Sequence, residues 1–291
     1  MRGTIVRRGK KSWRLKFDVE PSADGRRRTR YATVKGTRQD AQKELTRLLA
    51  QADAGTLVES SKVTVEQYMR SWLDAPRVIG KVGKERRELS PKTVERYRQL
   101  AEQQIYPHLG ATVIQKLKLA SVEAWHSTLL QGGGKDGKPL SPRTAGHAHR
   151  LLQRAMQRAV ETELLARNVT SIVGAPASED SEVEILNAEQ VPIVLHKLKG
   201  HDLYVIAAID LTTGLRRGEL LALPWSNLDL DGASLRVERS LEETRAGLRF
   251  KAPKTKHGRR TISLPPSAIA VLREHRRKQP EMRMALGLGR P

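Results

Sequence analysis

Two short stretches of this chain concentrate side chains suited to handling phosphate. The first runs Leu211-Thr-Thr-Gly-Leu-Arg216-Arg217-Gly218-Glu219-Leu-Leu-Ala-Leu-Pro224-Trp225-Ser-Asn-Leu-Asp229. Arg216 and Glu219, three apart, share one helical face. The second runs Pro253-Lys254-Thr255-Lys256-His257-Gly258-Arg259-Arg260-Thr261-Ile262-Ser263-Leu264-Pro265. A guanidinium suits phosphate because its planar fork donates two hydrogen bonds to a pair of oxygens. Standing alone, Arg-Arg-Gly-Glu is an ordinary solvated helix face with an ion pair, and two lysines in a basic hairpin contact only phosphate backbone. The chain has no cysteine, which excludes disulfides, thiolate zinc sites and cysteine nucleophiles. Its five tyrosines, Tyr31, Tyr68, Tyr97, Tyr106 and Tyr204, all precede Arg216.

The charge balance points the same way. Across 291 residues, 53 Lys and Arg face 32 Asp and Glu, a formal charge of +21. That exceeds what solubility requires and favours a polyanionic partner, nucleic acid first. Fifteen of the basic residues and only five acidic ones lie in Met1–Ala50, a net of +10 in about a sixth of the chain. An anionic membrane surface is the other polyanion to weigh. No apolar run approaches membrane-spanning length, and the basic N-terminus leads into Ser12-Trp13-Arg14, not an apolar core. A cytoplasmic protein without a membrane partner is expected.

The elements that must position these residues fall into three regions within an α+β, mostly helical fold. In residues 1–60 a small three-stranded sheet precedes a helix. Trp13, Leu15, Phe17 and Val19 alternate with Arg14, Lys16 and Asp18, so one face is apolar and the other largely basic. Asp24-Gly25 supplies a turn, and Arg26, Arg27, Arg28 and Arg30 open the return strand. Ala41, Leu45, Leu48 and Ala52 form the helix face that would cover the sheet. Residues 61–173 read as helical. Thr64 and Gln67 form a capping box, and Leu-Ser90-Pro91-Lys92-Thr93 is echoed by Leu-Ser141-Pro142-Arg143-Thr144, each a Ser cap with Pro at the first helical position. Gly80 to Arg87 and Gly132 to Lys138 read as flexible charged loops. Residues 174–185 are a small-residue, acidic linker. In residues 186–291, Asn187 and Gln190 cap a helix carrying Val191, Val194, Leu195 and Leu198, Tyr204 to Leu211 reads as a buried helix, and short strands follow Trp225. Trp13, Trp72 and Trp125 are most simply core residues.

The Leu211–Asp229 stretch closely resembles the first conserved box of the tyrosine recombinases, the family of phage integrases and Xer recombinases. About 40 residues on, the Pro253–Pro265 stretch looks like that family's hairpin with its catalytic lysine. The resemblance implies a site-specific integrase acting in DNA integration and recombination. It would comprise an arm-type DNA-binding domain over 1–60, a SAM-like core-binding domain over 61–173 and a partial mixed α/β catalytic domain over 186–291. By this match Arg216 grips the scissile phosphate with Glu219 as its supporting carboxylate, a donor whose loss costs roughly a hundred- to a thousandfold in rate. Lys256 matches the general acid that protonates the departing 5′ oxygen, with Lys254 as its rival. Arg14, Lys16, Arg26, Arg27, Arg28, Arg30, Lys92, Arg143, Lys254, Arg259 and Arg260 are candidate DNA contacts. The implied partner is double-stranded DNA at arm-type and core-type attachment sites, bound by tetramers, with no metal and no cofactor.

The family's chemistry also requires a His-x-x-Arg box, a later His or Trp and a tyrosine nucleophile, all downstream of the lysine. None is visible, and no tyrosine occupies the nucleophile position. His147-Ala148-His149-Arg150 spells His-x-x-Arg but precedes Arg216, and reads as a decoy on a DNA-facing helix surface. The expectation is therefore a C-terminally truncated, prophage-type recombinase that binds DNA without cleaving it alone. The alternative is a noncatalytic DNA-binding integrase fragment or regulator. A basic RNA-binding protein is less consistent with the pattern, since of Trp13, Phe17 and Tyr31 two fit the buried sheet face. Affinity for duplex DNA, followed by fluorescence anisotropy, is expected to fall with salt at a log–log slope of about −0.9 per neutralised phosphate. A flat response would remove the electrostatic basis for a nucleic-acid partner.

Overall fold

A computed structural model describes residues 3–19, 28–54, 57–58, 60–75, 78–82, 85–178, 182–253 and 258–288. The Asp24-Gly25 turn, Arg26, Arg27, Lys254 and Lys256 lie outside the described residues. The fold is α+β and mostly helical. It divides into two compact units, Met1–Glu88 with Arg96–Glu179, and Leu89–Glu95 with Asp180–Pro291.

Period-two alternation builds the N-terminal sheet. Strands β1 (Gly3–Gly9), β2 (Ser12–Val19) and β3 (Arg28–Lys35) pair antiparallel with β2 in the centre. Leu15 and Phe17 are buried against Ala41, Leu45 and Leu48 of helix α1 (Arg38–Asp53). Thr37 opens α1 with a capping box closed by Asp40, satisfying two helix-terminal donors at once. The register decides which face each residue of β3 presents. Directly paired residues share a face, and Phe17 pairs with Arg30 and Val19 with Arg28. Arg28 and Arg30 thus take the parity of the α1 side. The opposite face carries Arg14 and Lys16 with Tyr31 and Thr33, and the Arg14 guanidinium lies 4.2 Å from the Tyr31 ring centroid.

The helical region is organised by one large cluster. Helix α2 (Val65–Asp74) starts at the Thr64–Gln67 capping box and buries Val65, Met69 and Leu73. Residues 80–82 and 85–87, in a segment expected to be a loop, lie in the paired strands β4 (Val78–Val82) and β5 (Glu85–Glu88). The β-branched Val78, Ile79 and Val82 favour extended backbone and outweigh Gly80 within β4. Helix α3 (Pro91–Leu100) follows the Ser90 cap and loosens into a π turn over Ala101–Ile105 before α4 (Tyr106–Leu109). Pro107 has no N–H and its ring crowds the carbonyl four residues before, so the α ladder cannot run through it. Trp125, on α5 (Leu119–Gly132), donates its indole N–H to the Gln104 carbonyl at 2.7 Å. Helix α6 (Pro142–Glu161), capped by Ser141, supplies a stripe of Ala145, Ala148, Leu152, Ala155, Met156 and Ala159, all wholly buried, and α7 (Thr170–Val173) closes the region.

His149 corrects the surface reading of the His-x-x-Arg decoy. It is fully buried, its Nδ1 is 2.9 Å from His126 Nε2, and the rings meet edge on. Only His147 and Arg150 of that tetrad face solvent, joined by a 3.2 Å hydrogen bond.

The last region has a smaller core of Ile209, Leu215, Leu235, Val237, Leu264, Ala268 and Leu272. Asn187 and Gln190 exchange side-chain and backbone hydrogen bonds at 2.8 and 2.9 Å and start α8 (Gln190–Leu198). Its half-covered residues are Val191, Val194, Leu195 and Leu198. Helix α9 (Leu203–Thr213) buries only Ala208 and Ile209, while Leu203, Ile206 and Leu211 are exposed. A nearly all-apolar helix has no pattern that says how much of it is covered, and α8, α10 (Arg217–Leu220) and α11 (Pro266–Ala285) cover only part. Strand β6 (Leu228–Asp229) pairs with β7 (Ser234–Val237), β8 (Ser240–Thr244) with β9 (Gly247–Lys251), and β10 (Arg260–Ser263) with β7.

Burial first, then His126 and Arg150, push His149 down to about 4 from its ordinary 6.5. The fold prefers the neutral ring, so its contribution to stability is complete above pH 6.5 and is lost as pH falls toward 4. Thermal unfolding between pH 7 and pH 4.5 is expected to show a falling Tm that flattens in His149→Phe. Parallel curves for the two proteins would refute a role for this ring.

Candidate phosphate-binding site

The Thr-Gly-Leu-Arg-Arg-Gly-Glu sequence folds as a helix stop, an anchor and a restart. Gly214 ends α9 in the left-handed conformation at φ 61°, and its N–H donates to Asp210 O at 2.8 Å. Leu215 then plugs the core at 4 % exposure, leaving Arg216, in extended backbone, to point outward as the N-cap of α10. Gly218 lets α10 approach β8, because a Cβ there would stand 2.7 Å from the Leu241 carbonyl oxygen and 2.5 Å from Ser240 Oγ. Arg239 Nε donates to Ala222 O at 2.9 Å and fastens the far end of that turn. Trp225 packs on the same core and donates to Gln279 Oε1 at 2.6 Å.

Glu219 is the centre of the site. It is 5 % exposed, and among the described residues its two oxygens accept three hydrogen bonds. Arg216 Nη1 donates to Oε1 at 3.0 Å, the Arg216 backbone N–H donates to Oε2 at 3.2 Å, and Arg260 Nη2 donates to Oε2 at 2.8 Å. Burial alone would raise the Glu219 pKa. The bonds from Arg260 and from Arg216 outweigh it and hold the carboxyl below its ordinary value, so it remains an anion at neutral pH. One negative charge thus serves two guanidiniums. The Arg216 side chain is 78 % exposed, and among the described residues its Nε and Nη2 have no partner. Such donors can take two oxygens of a phosphate while Nη1 stays fixed on the carboxylate.

Arg260, a candidate DNA contact by its sequence, donates to this carboxylate. Its pairing with Val237 places it on the inward face with Ile262, which pairs with Leu235. The alternation Arg260, Ile262, Leu264 carries the signal for that orientation, and an inward arginine needs a carboxylate. A second buried carboxylate, Glu242 on β8, has no counterpart among the sequence candidates; it is paired with Lys251, and Arg249 lies 3.7 Å away. Of the other candidates, Lys16, Arg28, Lys92, Arg143 and Arg259 are exposed, and Arg14 and Arg30 are half-buried. Lys92 and Arg143 each sit one residue after the Pro that follows a Ser cap.

No protein-family model matches this chain. Among curated proteins, a XerC-like tyrosine recombinase of Caldanaerobacter subterraneus subsp. tengcongensis is 27 % identical over 97 % of this chain and 72 % of its own length. An integrase of Streptomyces ambofaciens is 27 % identical over 86 % of the chain and 62 % of its length. The integrase of Mycobacterium phage D29 is 30 % identical over 74 % and 53 %. The chain therefore spans about half to three quarters of these relatives. Among solved structures, the Tn1549 transposon integrase in complex with a circular intermediate DNA superposes with a TM-score of 0.58 at 23 % identity, covering 74 % of this chain and 65 % of that one. A lambda integrase tetramer bound to a Holliday junction gives 0.53 at 15 % identity, over 94 % and 74 %. Both likenesses concern the fold.

Removing the shared carboxylate leaves Nη2 of the partly buried Arg260 and the Arg216 backbone N–H without their acceptor. Glu219→Ala is expected to cost about 1–3 kcal/mol. Urea unfolding would show this as a lower midpoint at unchanged slope. An unchanged midpoint would mean that the three bonds contribute nothing net.

Proposed function

We propose a function from the premise that this chain belongs to the tyrosine recombinase family that includes the phage integrases: it binds duplex DNA at recombination sites and presents Arg216 to a backbone phosphate. Arg216 is the phosphate-gripping arginine, Glu219 its supporting carboxylate, and Lys256 the general acid, with Lys254 two residues earlier as the other lysine to test. The observation that carries this reading is the exposed Arg216 guanidinium fixed at one nitrogen by a buried carboxylate, with its remaining donors unengaged among the described residues.

The chemistry that this arrangement serves is phosphoryl transfer. Negative charge grows on the non-bridging oxygens as a nucleophile adds, and a pre-oriented guanidinium stabilises that charge more than it stabilises the ground state. A lysine near the departing 5′ oxygen would supply its proton. All five tyrosines precede Arg216, so these 291 residues are proposed to bind DNA without forming a covalent bond to it by themselves. The domains assigned to 1–60 and 61–173 would hold arm-type and core-type sequence respectively. Arg14 and Lys16 share the sheet face away from α1, the arrangement such a contact requires. Assembly as tetramers on paired sites belongs to the same proposal.

A nicked suicide duplex incubated with the 291-residue chain is expected to give a salt-sensitive noncovalent complex and no denaturation-resistant adduct. Arg216→Ala should weaken it about tenfold or more, as loss of a charged hydrogen bond does. A covalent adduct would overturn the noncatalytic part. Absence of any complex would overturn the whole proposal.

A further inference from the structure

Arg260 makes two contacts with one fork. While Nη2 donates to Glu219 Oε2 at 2.8 Å, Nη1 donates to the Gly258 carbonyl at 3.4 Å. Gly258 in turn touches Pro253, since a Cβ built on it would stand 2.4 Å from Pro253 Cβ. Pro253 and Gly258 are the described residues that bracket 254–257, the segment whose sequence holds both lysines. The side chain is 30 % exposed and takes the inward parity of β10, so its orientation is set by the β7–β10 register. Arg216, by contrast, is tied down only by Glu219 among the described residues.

We infer that Arg260 is a positioning residue and not a DNA contact: through Glu219 it orients the Arg216 guanidinium, and through its own bond to the Gly258 carbonyl its fork is held at the start of β10. This rests on the phosphate-binding reading of Arg216. The physical reason lies in the sharing of one anion. Without Arg260 the carboxylate would keep as donors only the Arg216 backbone N–H at 3.2 Å and the flexible Arg216 side chain. A second guanidinium, fixed in a strand, pins the carboxylate, and the exposed arginine then pivots about a fixed point. A lysine at 260 can reach Glu219 with its ammonium but lacks the planar fork that also holds Gly258.

Two measurements on the full 291-residue chain test this. The first is ¹⁵N relaxation of the Arg216 Nε–Hε group, which requires no DNA. Arg260→Gln is expected to increase its fast motion and Arg260→Lys to do so partially, with backbone chemical shifts of the β7–β10 pair retained. Unchanged Arg216 dynamics in a folded Arg260→Gln protein would overturn the inference. Should Arg260→Gln fail to fold, Arg260→Lys decides by the same criterion. The second is a double-mutant cycle on affinity for a fluorescein-labelled random-sequence duplex. Arg216→Ala and Arg260→Gln should each weaken binding by a similar factor, and the double variant should be no weaker than Arg216→Ala, with a single loss of about 0.9 in the salt slope. Additive losses, with the slope falling twice, would make Arg260 an independent phosphate contact and overturn the inference. Loss of duplex affinity in none of the variants would remove the DNA reading of Arg216, while the relaxation measurement still judges whether Arg260 orients it.

Discussion

A buried anion has to be compensated locally, and Glu219 is the anion around which the last region of this protein is arranged. Two guanidiniums converging without it would repel, and a carboxylate buried without cationic donors would lose its charge. With both arginines and a backbone N–H in place, the group keeps its charge at 5 % exposure. The cluster retains an excess positive charge at the Arg216 end, where the side chain meets solvent. That asymmetry, with one arginine inward and one outward around a shared anion, distinguishes the arrangement from an ordinary surface ion pair.

His149 shows the complementary outcome for a buried ionisable group. Its neighbours are His126 and Arg150, neither of which stabilises a positive ring, so the neutral form is kept. Glu219 remains charged because its neighbours are cations. Burial opposes the charged form in both cases, and the partners decide whether it survives. This contrast also separates the roles of the two regions. The helical cluster around Trp125 and Leu152 keeps His149 in its neutral form, whereas the smaller core around Leu235 carries a full charge at its margin.

Local signals in the sequence map well onto local structure. The Thr64–Gln67 and Asn187–Gln190 boxes, the twin Ser-Pro helix starts and the Ala41, Leu45, Leu48, Ala52 stripe all depend on residues within about three helical turns, and the structure reproduces them. The site is half legible. Arg216 and Glu219 can be paired by spacing alone, but Arg260 is 41 residues from Glu219, and only strand parity hints that it points inward. Arg28 and Arg30 group with Arg14 and Lys16 by proximity in sequence, yet the register places the two pairs on opposite faces. The π turn at Ala101–Ile105 has no sequence pattern of its own, although Pro107 is there to require a break in the ladder.

The sequence by itself determined the charge excess, the helix starts, the alternating strands and the residue types able to grip phosphate, because each depends on composition or on neighbours a few positions away. Only the tertiary structure decided which faces those strands present, how much of α9 is covered, that His149 is core, and that Glu219 is divided between Arg216 and Arg260. Those outcomes depend on strand register and on packing between segments far apart in the chain. A shift of a single residue in pairing would turn Arg260 outward and leave the carboxylate with one partner.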